Sequence, residues 1–171
     1  MTEQASGDAA TITTLQKELE ASFRNRADLY RLMFETLRKR LEEHEAERLM
    51  VEAVEERGRE VARQAFGSFG PNDAKALGEA FLAVSPDGGR MYPTDVERRA
   101  DGISFRVKRC PLKDAWVDAG LEDGAVARMC RIAGAFDRGL FGSTGVCFSN
   151  QTWQPGDGDG CCRIQLTNAG S

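Results

Sequence analysis

The hydrophobic period of the chain changes once, near residue 70, and this change constrains the fold more than any other feature. Before it, apolar residues recur every three or four positions in two segments, which predicts two long amphipathic helices. The first stripe consists of Ile12, Leu15, Leu19, Phe23, Tyr30, Met33, Phe34, Leu37 and Leu41. The second runs from Leu49 to Phe66. We expect both stripes to pack in a core, with the charged faces in solvent.

After residue 70 short helices alternate with strands. Helical patterns cover residues 72–84, 111–119 and 123–141, period-two alternation covers Ile103 to Val107 in a strand ending at Cys110, and a hairpin covers 145–153 and 161–167. The prediction is an α+β fold, with long N-terminal helices and a helical layer packed on a small, mainly antiparallel sheet. Residues 1–68 form the helical region and residues 69–171 the α+β region of one globular unit.

Composition excludes several classes of function. Lys and Arg number 23 against 27 Asp and Glu, without a dense basic cluster, so we expect no nucleic-acid partner. No apolar run reaches the roughly 20 residues of a membrane span, and the N-terminus lacks a secretion-signal pattern. We therefore expect a cytoplasmic protein without a membrane partner, whose five cysteines are free thiols or metal ligands. The single histidine, His44, lies among charges and is expected to be solvated.

Cys110 is the first candidate for chemistry. It lies between the end of the strand and the start of a helix, because proline is favoured in the first helical turn and Pro111 follows directly. Unpaired backbone N–H groups at that position and the charges of Lys108, Arg109 and Lys113 would all lower the pKa of the thiol. Cys110 is therefore predicted to be the most thiolate-like of the five cysteines, while a buried structural cysteine is the alternative.

The helix over 123–141 carries two polar residues on a stripe that should be apolar. Cys130 and Asp137 are seven residues apart, about 10 Å along the axis, and only Ala133 and Gly134 separate them on that face. A substrate could occupy the hollow left by the small residues. Close helix packing with Asp137 in an ion pair is the alternative, and the pattern alone leaves both open.

The hairpin contributes adjacent thiols. Alternation places Cys162 on the apolar face and Cys161 with Arg163 on the other. The Asp-Gly repeats between the strands lack the full spacing of a calcium loop, so they predict a turn. No Cys-x-x-Cys pair exists, so no metal is assigned, and a zinc or iron–sulfur site would have to assemble isolated cysteines in space.

Three segments, KRCPLKDAW, GLEDGAVARMCRIAGAFDRG and GDGDGCCRIQL, together resemble the L-2-amino-thiazoline-4-carboxylic acid hydrolase family over approximately residues 45 to 167. The resemblance implies hydrolytic opening of a cyclic thioimidate-type ring to an N-carbamoyl cysteine. The positions that match its motifs are Cys110, Cys130, Asp137, Cys161 and Cys162. It does not decide which of these positions performs chemistry.

The resulting hypothesis is a hydrolase that opens a small cyclic amidine or thiazoline ring without a cofactor. Asp137 would pair with the amidine end and pass protons, while Cys110 or Cys130 adds covalently or orients water. Arg109 or Arg163 would hold a substrate carboxylate, and Ala133, Gly134 and Cys161 would line the substrate. Two alternatives stay open, a non-catalytic module whose thiols bind a metal or small ligand and an inactive partner subunit. For the hydrolase as for these alternatives, the N-terminal helices are candidates for forming a homo-oligomer.

Overall fold

The computed structural model describes residues 2–158 and 160–170. Their helices are α1 Thr2–Leu37, α2 Glu43–Ala65, α3 Ala74–Ala83, α4 Pro111–Asp118 and α5 Asp123–Gly142, with a 3-10 turn at Pro86–Gly89. Their strands are β1 Thr94–Arg98, β2 Gly102–Val107, β3 Cys147–Gln151 and β4 Arg163–Thr167. The predicted α+β class is therefore confirmed.

The four strands form one antiparallel sheet in the order β1-β2-β4-β3. Phe105 in β2 lies opposite Ile164 in β4, and Asn150 in β3 lies on the other side of Ile164. Strand β2 ends at Val107, three residues before the predicted end at Cys110. The hairpin strands are also shorter than predicted, and the residues just before β4 are Cys161 and Cys162.

One face of the sheet is buried and the other is open. Ile103, Phe105, Ile164 and Leu166 point inward and pack with Leu77 of α3 and Phe141 of α5. The intervening residues of β2 and β4, including Arg106, Arg163 and Gln165, point outward and are exposed. This pattern is typical of an antiparallel sheet with helices on one side only. The sheet thus separates an inner, helix-covered region from an outer polar surface.

The helical layer is held by two different kinds of contact. Helix α2 lies so close to α5 that a Cβ atom on Gly58 would stand 2.1 Å from the carbonyl oxygen of Phe136. Helix α1 packs on α4, where the indole N–H of Trp116 donates a 2.8 Å hydrogen bond to the carbonyl oxygen of Ala27. Phe23 and Phe34 are the aromatic residues that α1 buries.

The prediction for the first apolar stripe was wrong in part. Ile12, Leu15 and Met33 belong to that stripe, yet about half of each side chain is exposed. The physical reason is that α1 is long and contacts the rest of the fold on one side, mostly along its second half. None of the described helices combines the length and apolar character that a membrane crossing requires.

Candidate active site

Cys110 occupies the predicted place at the start of α4. Its backbone is extended, with φ −128° and ψ 117°, and Pro111 is the first helical residue. The prediction that its thiol has a lowered pKa is wrong. Burial raises the pKa of Cys110 to about 12, and the opposing effect of the backbone N–H groups of Lys113 and Leu112 is smaller. Cys110 is therefore a neutral thiol at physiological pH.

The neighbouring cations do not reverse this result because acids neutralise two of them. Arg109 Nε lies 2.8 Å from Asp114 Oδ2, and Lys108 Nζ lies 2.7 Å from Asp95 Oδ1. Lys113 differs from both, since it is buried with 8% of its surface exposed. Its ammonium group stands 5.6 Å from the centre of the Trp153 ring. Lys113 is thus the cation of this segment that reaches the interior.

Four cysteines lie near one another on the inner side. Burial raises the pKa of Cys130, Cys161 and Cys162, and negative charge on Cys110 would raise the pKa of Cys130 and Cys162 further. Lys113 acts in the opposite direction on Cys130 and Cys161. These four thiols and Lys113 therefore share one electrostatic environment, which we call the thiol cluster. Cys147 is exposed on the other face of the sheet.

Cys161 was predicted to point with Arg163 toward the outer face, and this was wrong. Cys161 is buried with 7% of its surface exposed. It precedes β4, so the alternation of the strand no longer decides where its side chain points. Its backbone N–H still donates a 2.8 Å hydrogen bond to the carbonyl oxygen of Val107, which brings it beside the turn into α4. Cys162 packs against the apolar core of the sheet, as predicted.

Asp137 is the most perturbed carboxyl group of the site. Burial raises its pKa from the usual 3.8 to about 7. The side-chain N–H of Asn150 donates to Asp137 Oδ2 at 3.3 Å, and no ion pair joins Asp137 to any described residue. The Oδ1 atom of Asn150 is buried and has no hydrogen-bond partner among the described residues. A carboxyl and a carboxamide oxygen thus stand together with acceptor capacity that the described residues leave unused.

Asn150 was missed by the sequence analysis, although a signal for it exists. It alternates with Phe148 on the inward face of β3, where an apolar residue would be expected. Tyr92 was missed as well and carries no such signal, because it follows the irregular turn after Gly89. Burial raises the pKa of Tyr92, negative charge on Cys110 and Asp137 raises it further, and Arg26 donates to its hydroxyl at 3.2 Å.

The predicted hollow over Ala133 and Gly134 is filled by protein. A Cβ atom on Gly134 would stand 2.6 Å from Thr152 Cγ2 and 3.2 Å from Asn150 Nδ2. Ala133 is partly buried against the helical core. The glycine therefore lets the end of β3 approach α5 closely, which holds Asn150 beside Asp137. The small residues position the site and do not line an open cavity at this point.

The two arginines predicted to hold a substrate carboxylate lie outside the thiol cluster. Arg163 is exposed on the outer face of the sheet, in a groove of about 390 Å³ that it shares with Arg106 and Gln165. Arg109 lines a groove of about 480 Å³ between α1 and α4, with Lys17 and Glu20. Strand alternation explains the first placement, and the ion pair with Asp114 explains the second. Neither placement fits the predicted role.

Among the residues that the structure describes, no group of three or more His, Cys, Asp or Glu side chains has the arrangement to hold a metal ion. The thiol cluster, Asp137, Asn150 and Tyr92 together form a buried to half-buried set of four thiols, one carboxyl, one phenol, one amide and one lysine. Such a set can accept N–H donors and transfer protons.

A protein-family model matches most of the chain. The family model described as L-2-amino-thiazoline-4-carboxylic acid hydrolase matches residues 22–166. The match includes all four cysteines of the thiol cluster, Asp137 and Asn150, and it begins within α1. No curated protein and no solved structure matches the chain.

Proposed function

This chain belongs to the L-2-amino-thiazoline-4-carboxylic acid hydrolase family, and we propose on that premise that it hydrolyses a small five-membered ring of the cyclic amidine or thiazoline type. The observation that carries the proposal is the pair formed by Asp137 and Asn150. An amidine presents N–H donors on two nitrogens, and the pair offers Asn150 Oδ1, which no described residue uses, beside the Asp137 carboxyl, which accepts one hydrogen bond from Asn150. The buried carboxyl is therefore matched to the nitrogen end of such a ring.

The pKa of Asp137 supports a part in proton transfer. A general acid or base works best when its pKa lies near the operating pH, because both protonation states are then populated. Burial raises the pKa of Asp137 to about 7, so the group can take a proton and return it in one reaction cycle. We expect Asp137 to act first as base and then as acid.

The reaction then needs one water molecule and no other co-reactant. Asp137 removes a proton from water as the water oxygen bonds to the ring carbon that carries two nitrogens and sulfur. The electron pair of the C=N bond moves to the ring nitrogen, which takes the proton from protonated Asp137, giving a tetrahedral intermediate that carries a hydroxyl group. As the carbon–sulfur bond breaks and the carbonyl forms, Asp137 removes the hydroxyl proton and passes it to the leaving sulfur. The products of this hydrolysis are a thiol and a urea-type carbonyl group.

We expect the thiols of the thiol cluster to contact the substrate and not to attack it covalently. Because burial raises the pKa of Cys110 to about 12, covalent attack by its thiolate is disfavoured. Neutral thiols are weak hydrogen-bond donors and polarisable contacts. We propose that Cys130 and Cys162 contact the ring sulfur, and that Lys113 attracts an anionic ring substituent in place of Arg109 or Arg163.

The test is an assay of purified, reduced protein against 2-amino-thiazoline-4-carboxylate, other thiazolines, cyclic amidines and hydantoin-like rings. Ring opening is measured as the mass gain of one water and as released thiol. We expect turnover of at least one ring by the wild type and a loss of about 100-fold or more in the Asp137→Asn variant, because general acid–base catalysis commonly contributes that much.

Asp123→Asn is the matched control, since Asp123 is an exposed carboxylate at the start of the same helix. Its turnover should equal that of the wild type. A folded wild type that opens none of these rings would contradict the proposed activity. An Asp137→Asn variant with full turnover would contradict the role of Asp137.

A further inference from the structure

The exposed face of α1 carries apolar and charged residues in an order that is complementary to a second, antiparallel copy of the same face. Five large apolar side chains on this helix are about half exposed: Ile12, Leu15, Leu29, Leu32 and Met33. Leu15, Leu29 and Met33 project to another side of the helix than Phe23, Ala27 and Phe34, which face the helical core. The exposed apolar residues are therefore not required for packing within one chain.

The order of residues along this face is symmetric about Ser22. Leu15 and Leu29 each lie seven residues from Ser22, and residues seven apart project to nearly the same side of a helix. Ile12 and Leu32 each lie ten residues from it and project about 80° to either side of Ser22 around the helix. A small exposed residue thus stands at the centre, with large apolar residues at equal distances on both sides.

Charges follow the same symmetry. Glu18 lies four residues before Ser22 and Arg26 lies four residues after it, and both are exposed. In an antiparallel pair of α1 helices centred on Ser22, Glu18 faces Arg26 of the partner subunit, and Leu15 faces Leu29 of the partner subunit. A two-fold axis brings each of these contacts twice. Arg26 also contacts the hydroxyl of Tyr92, so this face reaches the edge of the candidate site.

We infer that the chain forms a two-fold symmetric homodimer through antiparallel pairing of α1, with the axis passing at Ser22. Ser22 permits close approach of the two helices at their crossing, since its side chain is small. The core contacts of α1 are made chiefly by its second half, so the two folded bodies lie toward opposite ends of the pair. The inference is independent of the proposed hydrolase activity.

Cysteine cross-linking tests the axis directly. In a background with Cys147→Ser, which removes the exposed native thiol, Ser22→Cys should form a disulfide-linked dimer under mild oxidation. Thr11→Cys is the matched control, because residue 11 lies on the same helix and is exposed. In the antiparallel pair the two copies of residue 11 are separated by about 33 Å, so they should not cross-link.

Sedimentation velocity tests the surface. The wild type should sediment as a dimer, and the double variant Leu15→Glu/Leu29→Glu should sediment as a monomer with an unchanged helical circular dichroism spectrum. Val84→Glu is the control, since Val84 is an exposed apolar residue away from α1, with 66% of its surface exposed. This variant should stay dimeric.

Three results would overturn the inference. A monomeric wild type at micromolar concentration would exclude the dimer, and binding of that monomer to anionic phospholipid vesicles would assign the face to a lipid surface instead. Cross-linking of Thr11→Cys as efficient as that of Ser22→Cys would indicate a parallel pair. A dimer that survives the double variant would place the interface elsewhere.

Discussion

Helix α5 packs against neighbours on two sides, and the two sides differ in chemistry although both contain glycine. Toward α2, a Cβ atom on Gly139 would stand 1.9 Å from the carbonyl oxygen of Glu55, so the two backbones are in direct contact. Toward the sheet, Gly134 meets the side-chain ends of Thr152 and Asn150. The first side is a rigid contact between backbones, and the second is a contact through side chains beside a buried carboxyl.

The difference shows that small residues on a helix do not by themselves indicate a ligand pocket. Both glycines allow close approach, and neither opens a cavity at its own position. The candidate site is distinguished instead by Asn150 Oδ1, a buried polar atom without a hydrogen-bond partner among the described residues, and by the neighbouring Asp137 carboxyl, whose pKa is raised by burial. The side of α5 that faces α2 therefore contributes chiefly to stability, and the side that faces the sheet carries the candidate site.

The largest expected effect is the change with pH in the free energy of unfolding that is caused by Asp137. Because its pKa is raised to about 7 from 3.8, the folded state binds this proton more tightly than the unfolded state. Stability from this group is fully present below the unfolded pKa and is lost as pH rises from about 4 to about 7, by at most about 4 kcal/mol. Asp137→Asn removes this loss.

Chemical unfolding of the wild type and Asp137→Asn across this pH range measures the effect. The variant should be more stable than the wild type at pH 8, and the difference should shrink toward pH 4. Asp123→Asn controls for a general change of net charge. A wild type whose stability, relative to Asp137→Asn, rises between pH 4 and pH 7 would show that Asp137 is paired in the folded protein.

The backbone contact between α2 and α5 should give the next largest effect. Gly139→Ala places a methyl group against a carbonyl oxygen that cannot rotate away, so the helices must separate. We expect a loss of about 3 kcal/mol in the free energy of unfolding, the upper part of the usual range for overpacking. Gly124→Ala on the same helix meets nothing within 4 Å and should be neutral or slightly stabilising. Equal stability of the two variants would contradict the close contact.

Much of the fold could be predicted because it depends on local periodicity. The positions of α3, α4 and α5 follow from apolar spacing and from Pro111, and the inward and outward residues of β2 follow from alternation. Alternation fails at Cys161 because it holds only within the paired strand. Exposure of Leu15 could not be predicted, since an apolar stripe does not tell whether its partner belongs to the same chain.

The candidate site was predictable only in part, because its properties depend on distant segments. Spacing identified Cys130 and Asp137 on the inner stripe of α5. The pKa of Cys110 was predicted in the wrong direction, since burial and the acids that pair with Arg109 and Lys108 are not visible in the local sequence. Charged neighbours in sequence therefore say little about a thiol until their own partners are known.

A smaller effect is expected at Gly134, where the neighbouring atoms belong to side chains. Gly134→Ala needs a shift of Thr152 and Asn150, which can rotate, so the loss of stability should be about 1 kcal/mol. Turnover should fall more than stability suggests, because Asn150 moves away from Asp137. The comparison of kcat and unfolding free energy with those of Gly142→Ala, which meets nothing within 4 Å, measures this difference. A loss equal to that of Gly139→Ala would mean that both sides of α5 are equally rigid.

The smallest effect compares the thiols on the two faces of the sheet. Cys147 is exposed on the outer face, whereas burial disfavours the thiolate of every cysteine in the thiol cluster. Iodoacetamide at pH 8 should therefore label Cys147 first, with the cluster reacting mainly when the protein opens. Peptide mass spectrometry over time gives the order, and Cys147→Ser should remove the fast phase without loss of stability. Rapid labelling of Cys110 would instead indicate a reactive thiolate and would support covalent catalysis by Cys110.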